Sequence, residues 1–243
     1  MSLPDSPSDS EILNDLAECD LALEGQFMYG SNFTFLVRVQ CLGKERRAVY
    51  KPSQGERPLW DFPEGTLAAR EVAAYIVSAH LGWDLVPPTV MRTNGPSGPG
   101  SVQLFVDTDP ERHYFTMAEE DKPRLLPAAL FDALINNADR KGGHVLFDAR
   151  DHLWLIDHGV CFHIHPKLRT VIWDFAGQAI PEDLLNDLVQ FRAALEHGPA
   201  RSALGPLLSD DELDALDLRA MQLIESGCMP LPGPGRPYPW PLI

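Results

Sequence analysis

One stretch constrains this chain more than any other: Phe131 to Phe162, reading FDALINNADRKGGHVLFDARDHLWLIDHGVCF. It opens helix-like, with Leu130, Ala133, Leu134 and Ala138 at helical spacing. A polar knot follows, Asn136 to His144. Two short apolar runs, Val145 to Phe147 and Leu153 to Ile156, then flank a polar turn, Asp148 to Asp151. That is a hairpin pattern. Two carboxylates, Asp139 and Asp157, are thereby presented at the ends of secondary elements, with a hairpin to hold them face to face. Phosphoryl transfer from a nucleoside triphosphate needs such a pair, one carboxylate near the attacking hydroxyl and one on the metal that bridges the phosphates.

The residue pattern is Asp139-Arg140, then His144 five residues beyond the aspartate, then Asp157-His158-Gly159 after the hairpin. It resembles the catalytic core of the atypical kinases, above all the phosphatidylinositol 3-/4-kinase-like family in its actinobacterial branch. HipA-like and Fam20-like kinases are more distant relatives. Two positions depart from the family: His144 stands where Asn is usual, and His158 where Phe or Asn is usual. The resemblance covers about Gly25 to Phe162.

The resemblance implies an α+β, two-lobe protein-kinase-like fold. Residues 1–24 would be a tail and helix, and residues 25–107 an N-lobe with a small antiparallel sheet and one helix. Residues 108–243 would be a mostly helical C-lobe ending in a Pro-rich tail. ATP and a divalent metal, Mg²⁺ or Mn²⁺, would sit between the lobes. Gly30, Ser31 and Asn32 would cover the phosphates with backbone amides. Lys51, at the end of the apolar strand Ala48-Val49-Tyr50, would hold the phosphates, and Glu71 would pair with it from the next helix, with Glu64 as the fallback partner. Gln103 to Val106, including Phe105, would read the adenine edge. Asp139 would be the base or hydroxyl-positioning group, and Arg140 would neutralise charge within the loop or on the phosphoryl group. Asp157 and His144 would hold metal.

Composition narrows the partners. The net charge of −15 over 243 residues argues against nucleic acid, which needs clustered Lys and Arg. It also argues against strong docking on anionic lipid, so a small-molecule or protein acceptor is favoured over a membrane lipid. The oligomeric state is open. Cys19, Cys41, Cys161 and Cys228 are scattered without a CxxC, which reads as buried or free thiols in a reducing, cytoplasmic setting. Met1 to Glu24 has no Lys or Arg, unlike a secretory leader. His158, Cys161, His163 and His165 lack paired zinc-ligand spacing, and an ordinary activation segment is the preferred reading.

Ser8-x-x-Glu11 and Ser209-x-x-Glu212 are capping boxes that predict helices. Gly25 to Gln40 predicts two strands, with Phe33, Phe35, Val37 and Val39 on one face. Thr66 to Leu81 predicts a helix with Val72, Tyr75, Ile76 and Ala79 buried. Leu85 to Met91 predicts a strand broken at Pro87-Pro88, Asn94 to Gly100 a loop tip, and Ser101 to Val106 another strand. Trp60 reads as a satellite packing residue, with a lid as the other reading. Pro181 to His197 predicts a helix, and Pro230 to Ile243 an extended tail against the second lobe. Two further functions fit the same residues: a pseudokinase that holds nucleotide without transfer, and a kinase fold that transfers AMP.

Overall fold

A computed structural model of the chain describes residues 8–27, 32–41 and 43–243. Residues 1–7, expected as a tail, and the turn residues Gly30 and Ser31 lie outside the described residues. The structure divides into two units: residues up to Val72 with Pro87–Val106, and Ala73–Val86 with Asp107–Ile243.

The first unit is built on a five-stranded antiparallel sheet, β1 (Asp20–Gln26), β2 (Phe35–Cys41), β3 (Lys44–Pro52), β4 (Thr89–Gly95) and β5 (Gly98–Leu104), in the order β1-β2-β3-β5-β4. Period-two burial runs along β2 and β3, so Val37, Val39, Ala48 and Tyr50 share one buried face. Helix α1 (Asp9–Glu18) covers that face with Ile12 and Leu16. Ser8 caps the helix by accepting from the Glu11 amide. At the other end, the Arg92 guanidinium donates to the Leu16 and Cys19 carbonyls at 3.2 and 2.6 Å, a cation on the negative end of the helix dipole. Lys51 alternates with Tyr50 and therefore points off the opposite face of the sheet.

Three strand expectations shift. β1 begins at Asp20, ahead of Gly25, because Asp20 to Leu23 already pair with β2 before a bulge. β4 begins after Pro87-Pro88, whose missing N–H groups cannot join a ladder. The Gly/Pro/Ser stretch from Asn94 to Gly100 is mostly strand, since Gly95 pairs with Gly98 and leaves only Pro96-Ser97 as the turn. Those glycines serve Tyr50: a Cβ on Gly95 would lie 2.6 Å from the Tyr50 ring. The Tyr50 hydroxyl donates to the Gly98 carbonyl at 2.6 Å.

Two of the four cysteines correct the expectation of thiols. Cys19 and Cys41 form a disulfide with Cα atoms 5.3 Å apart. Pairing of Asp20 with Gln40 places the flanking residues side by side, although they are 22 apart in sequence. The argument for a reducing compartment loses this support. Cys161 is a buried free thiol and Cys228 an exposed one.

Helix α2 (Leu67–Leu81) spans the division between the units after Val72. Its start is capped by Glu56, whose carboxylate accepts from the Leu67 and Ala68 amides at 3.0 and 2.8 Å. Its buried face is not the expected one: Val72 is buried, but so are Glu71, Ala73, Ala74 and Val77, and Ala79 is exposed. Apolar residues occur all round this helix, so periodicity alone cannot pick its face. Trp60, in the insert before the helix, is 93% exposed.

The second unit centres on α3 (Leu126–Ile135), where every residue from Ala128 to Ile135 is buried. Asn136 ends it in the left-handed conformation, φ 54°. The hairpin β6 (Val145–Phe147) and β7 (Leu153–Leu155) follows in the expected place. Asp148 organises its turn by accepting from the Arg150 and His152 amides at 2.8 and 3.0 Å. Helices α4 (Glu182–His197), α5 (Pro199–Leu204) and α6 (Asp210–Ser226) complete the unit. The Ser209–Glu212 capping box of α6 is fully formed, and Arg192 of α4 pairs with Asp217 of α6 at 2.8 Å. The Pro-rich tail lies on this unit: the Pro237 carbonyl accepts from the Thr170 amide at 3.0 Å. No helix among the described residues is long and apolar enough to cross a membrane.

Candidate active site

Asp139 follows a short connection out of α3 whose shape is held from behind. The Asn137 amide donates to the Asp132 carbonyl at 2.9 Å, and the Ala138 amide to the Val160 carbonyl at 3.0 Å. Asn137 Oδ1 accepts from the Asp139 amide at 2.9 Å. Lys141 Nζ lies 3.1 Å from Asp139 Oδ2. Burial raises the Asp139 carboxyl above its ordinary range; Lys141 opposes the shift and the negative charge of Asp157 adds to it. Asp139 is thus a carboxylate made more basic than usual, the direction a proton acceptor needs.

Asp157 comes directly after the hairpin and adopts φ 62°. A non-glycine residue held there is uncommon and costs backbone energy, and such conformations cluster at functional positions. His144 Nε2 lies 3.4 Å from Asp157 Oδ2. His144 ends a single 3₁₀ turn, Gly142–His144. A Cβ on Gly142 would meet the Phe115 ring at 2.5 Å, so any larger residue there has to displace that partly exposed ring. The structure therefore brings Asp157 and His144 together, with Asp139 close enough to feel the charge of Asp157.

Of the two destinations expected for Arg140, the loop and the phosphoryl group, the side chain takes the inward one. It does not reach outward: the residue is completely buried. Its Nε and Nη2 grip Asp132 on α3 at 3.0 to 3.1 Å. Its Nη1 donates to the Ile156 carbonyl at 2.7 Å, and its Nη2 to His158 Nε2 at 2.7 Å. The guanidinium thus ties the Asp139 loop to the Asp157 turn and neutralises a buried carboxylate, with no donor directed at solvent. His158 accordingly accepts at Nε2, and its ring sits edge-on to Phe131 at 5.8 Å, filling the space an aromatic residue would fill. Asp132, Lys141 and Glu56 were missed from sequence. A lone Asp within the apolar run LPAALFDALI was the available signal for a buried charge pair.

In the first unit, Lys51 and Glu71 form an ion pair. The Glu71 side chain is only 4% exposed and that of Lys51 22%. Glu64, the fallback partner, is exposed. Asn32 Oδ1 accepts from the Arg57 amide at 2.7 Å. The expected adenine edge is partly occupied: Gln103 is paired on both sides within the sheet, its side chain donates to Thr89 Oγ1 at 2.9 Å, and the Phe105 amide donates to the Arg47 carbonyl at 3.0 Å.

Among the described residues, the metal-type donor cluster of His, Cys, Asp and Glu is Asp15, Cys19 and Cys41. Its sulfurs are in the disulfide, and Arg46 Nε binds Asp15 at 2.8 Å.

No family model matches the chain. It is 41% identical over 261 aligned residues to Protein Rv2133c of Mycobacterium tuberculosis (strain ATCC 25618 / H37Rv), with 93% of each chain covered. The chain belongs to the Protein Rv2133c family. The chain also shares 36% identity over 139 residues with Phosphatidylinositol 4-kinase gamma 4 of Oryza sativa subsp. japonica. That match takes in 47% of the chain and 24% of the rice protein. Among solved structures, the Golgi casein kinase with Mn/ADP bound superposes with a TM-score of 0.58 at 14% identity, over 90% of this chain and 75% of that one. Hydra Fam20 with sugar superposes at 0.56 and 17% identity, over 90% and 87%. The fold is α+β and protein-kinase-like.

Proposed function

We propose that this Rv2133c-family chain is an ATP-dependent phosphotransferase of the phosphatidylinositol 3-/4-kinase-like type, acting on a hydroxyl of a small molecule or protein. The observation that carries it is the 3.4 Å approach of His144 Nε2 to Asp157 Oδ2 beside Asp139, whose carboxyl is raised by burial. The neighbour with Mn/ADP bound supports a nucleotide and a divalent cation. An imidazole and a carboxylate are a chemically fitting donor set for such a cation.

In this reading Lys51 holds the phosphates, and Glu71 keeps its ammonium in place. Asp139 orients the acceptor hydroxyl and takes its proton. Lys141 tempers the charge of Asp139. Asp157 and His144 supply donors to the metal, which when bound neutralises charge on the phosphates. Arg140 meets this set only at the His144 carbonyl, where Nη1 donates at 3.4 Å, and acts as a positioning residue. For adenine, the Phe105 carbonyl and Val106 take over the role first given to Gln103. Incubation with γ-labelled and α-labelled ATP tests the proposal: label from γ alone supports it, label from α means AMP transfer, and label from neither, across an acceptor screen, supports a nucleotide-holding pseudokinase.

Glu71→Ala should lower kcat/KM on the order of 10²-fold, although Glu71 is the buried half of its pair, because an unguided Lys51 wanders from its working position. Steady-state kinetics check this. An unchanged kcat/KM would remove the pair from the mechanism.

The metal preference follows from His144. Mg²⁺ wants oxygen ligands, and Mn²⁺ accepts imidazole nitrogen more readily. Activity should be higher with Mn²⁺ than with Mg²⁺, and His144→Asn should move the preference toward Mg²⁺. A metal titration of both proteins decides, and an unchanged ratio in the variant would show that His144 is not a ligand.

A further inference from the structure

The second unit carries a groove of about 890 Å³ walled by α6, by the segment that follows Ile164 and by the Pro-rich tail. That volume lies within the range of about 300–1,000 Å³ typical of small-molecule sites. Its walls are mainly apolar, and three of their side chains, Ile164, Leu218 and Leu231, stand well exposed. Exposed apolar side chains gathered in one concavity mark an interaction site more often than they mark chance.

Charge selects the occupant. Lys167, Arg169, Arg219 and Arg236 line the groove, and among the described residues no Asp or Glu does, although the Glu212 charge acts on Arg219 from outside the lining. The whole chain has 35 acidic residues against 20 Lys and Arg, so an acid-free concavity with four cations runs against its composition. Arg219 is held rigidly: Nε donates to the Leu134 carbonyl at 2.7 Å and Nη1 to the His163 carbonyl at 3.2 Å. Its Nη2 is buried and has no hydrogen-bond partner among the described residues. Burial lowers the Arg219 pKa to about 10, which leaves it cationic at neutral pH. The wall behind it is preformed, since Asn136 Nδ2 donates to the His163 and His165 carbonyls at 2.9 and 2.8 Å. A fixed guanidinium with an unused donor suits an oxyanion, and the apolar walls suit a hydrocarbon body.

We propose that this groove binds a small amphipathic carboxylate, its apolar chain lying against Ile164, Leu218 and Leu231 and its head reaching Arg219 within the ring of cations. This site is independent of the phosphotransfer reading.

Isothermal titration of the full chain with dodecanoate, below its micelle-forming concentration, tests it. One saturable site per chain is expected, with dodecanol weaker by about tenfold because it lacks the charge-assisted bond. Acetate, which has the head without the tail, should show no saturable binding. Arg219→Lys should weaken dodecanoate by about tenfold. That variant also loses bonds to two carbonyls, so Leu231→Asp and Arg236→Ala, both in the exposed tail, provide the second arm; each should weaken binding by about fivefold or more. The proposal is overturned by any of four results: no saturable dodecanoate binding, equal binding of dodecanol, affinity unchanged in both tail variants, or binding of an acidic apolar peptide where dodecanoate fails.

Discussion

Asp157→Ala should abolish metal-dependent nucleotide binding, whereas Asp139→Ala should keep binding and lose transfer by roughly 10²–10⁴-fold. The difference rests on where the two carboxylates stand. Asp157 is half exposed at the head of its turn, in a left-handed backbone conformation and 3.4 Å from His144, so its removal takes away a metal donor. Asp139 is more buried and is bonded to Lys141, so its removal takes away a proton acceptor. Calorimetric titration with ATP and metal, alongside single-turnover transfer of label, separates the effects. Equal loss of binding in both variants would mean that the roles are misassigned. A pH dependence accompanies this. Asp139 works only when deprotonated, and burial raises its pKa, so transfer should rise with pH through a midpoint above that of an ordinary aspartate. Lys141→Met removes the opposing positive charge and should move that acid limb further up.

The second large effect is on stability. Asp132→Ala and Arg140→Met should each cost roughly 3–5 kcal/mol, because each leaves the other charge buried without its counter-ion. Both side chains are fully inaccessible, so water cannot compensate. Each also strands further groups: Arg140 serves the Ile156 carbonyl and His158, and Asp132 accepts from Asn137 and Thr170. The double variant Asp132→Ala/Arg140→Met should lose less than the two single losses combined. Urea unfolding of the four proteins measures this. Additive losses would show that the pair is not coupled.

These two predictions also show what was legible in the residues. Asp139 and Asp157 were singled out by a local pattern, a helix end and a hairpin end within one stretch, and local patterns survive folding because short-range sterics and hydrogen bonds set them. The hairpin, the Ser209–Glu212 capping box and the strand alternation through Val37 and Val39 are of the same kind. Glu71 was picked by its place in the order of elements. Its pairing follows from alternation on β3, which turns Lys51 away from the α1-covered face.

Arg140 stayed open between the loop and the phosphoryl group because an arginine beside a loop aspartate has two destinations, and sequence does not say which lies nearer. The choice was made by Asp132, a full turn back on α3, whose burial demands a cation. The buried face of α2 was misread for a related reason: a helix apolar on all sides takes its orientation from what packs on it. Cys19 and Cys41 became partners only through the β1–β2 register. The groove beside Arg219 exists only because α6 and the Pro-rich tail that follows it converge with the segment after Ile164, which is distant from both in the chain. By itself, then, the sequence determined the elements, their order and the two carboxylates at their ends, since each depends on neighbours within a few residues. Tertiary structure alone decided which charges were buried, which cysteines met and where a cavity remained, because those depend on contacts between segments that no local pattern specifies.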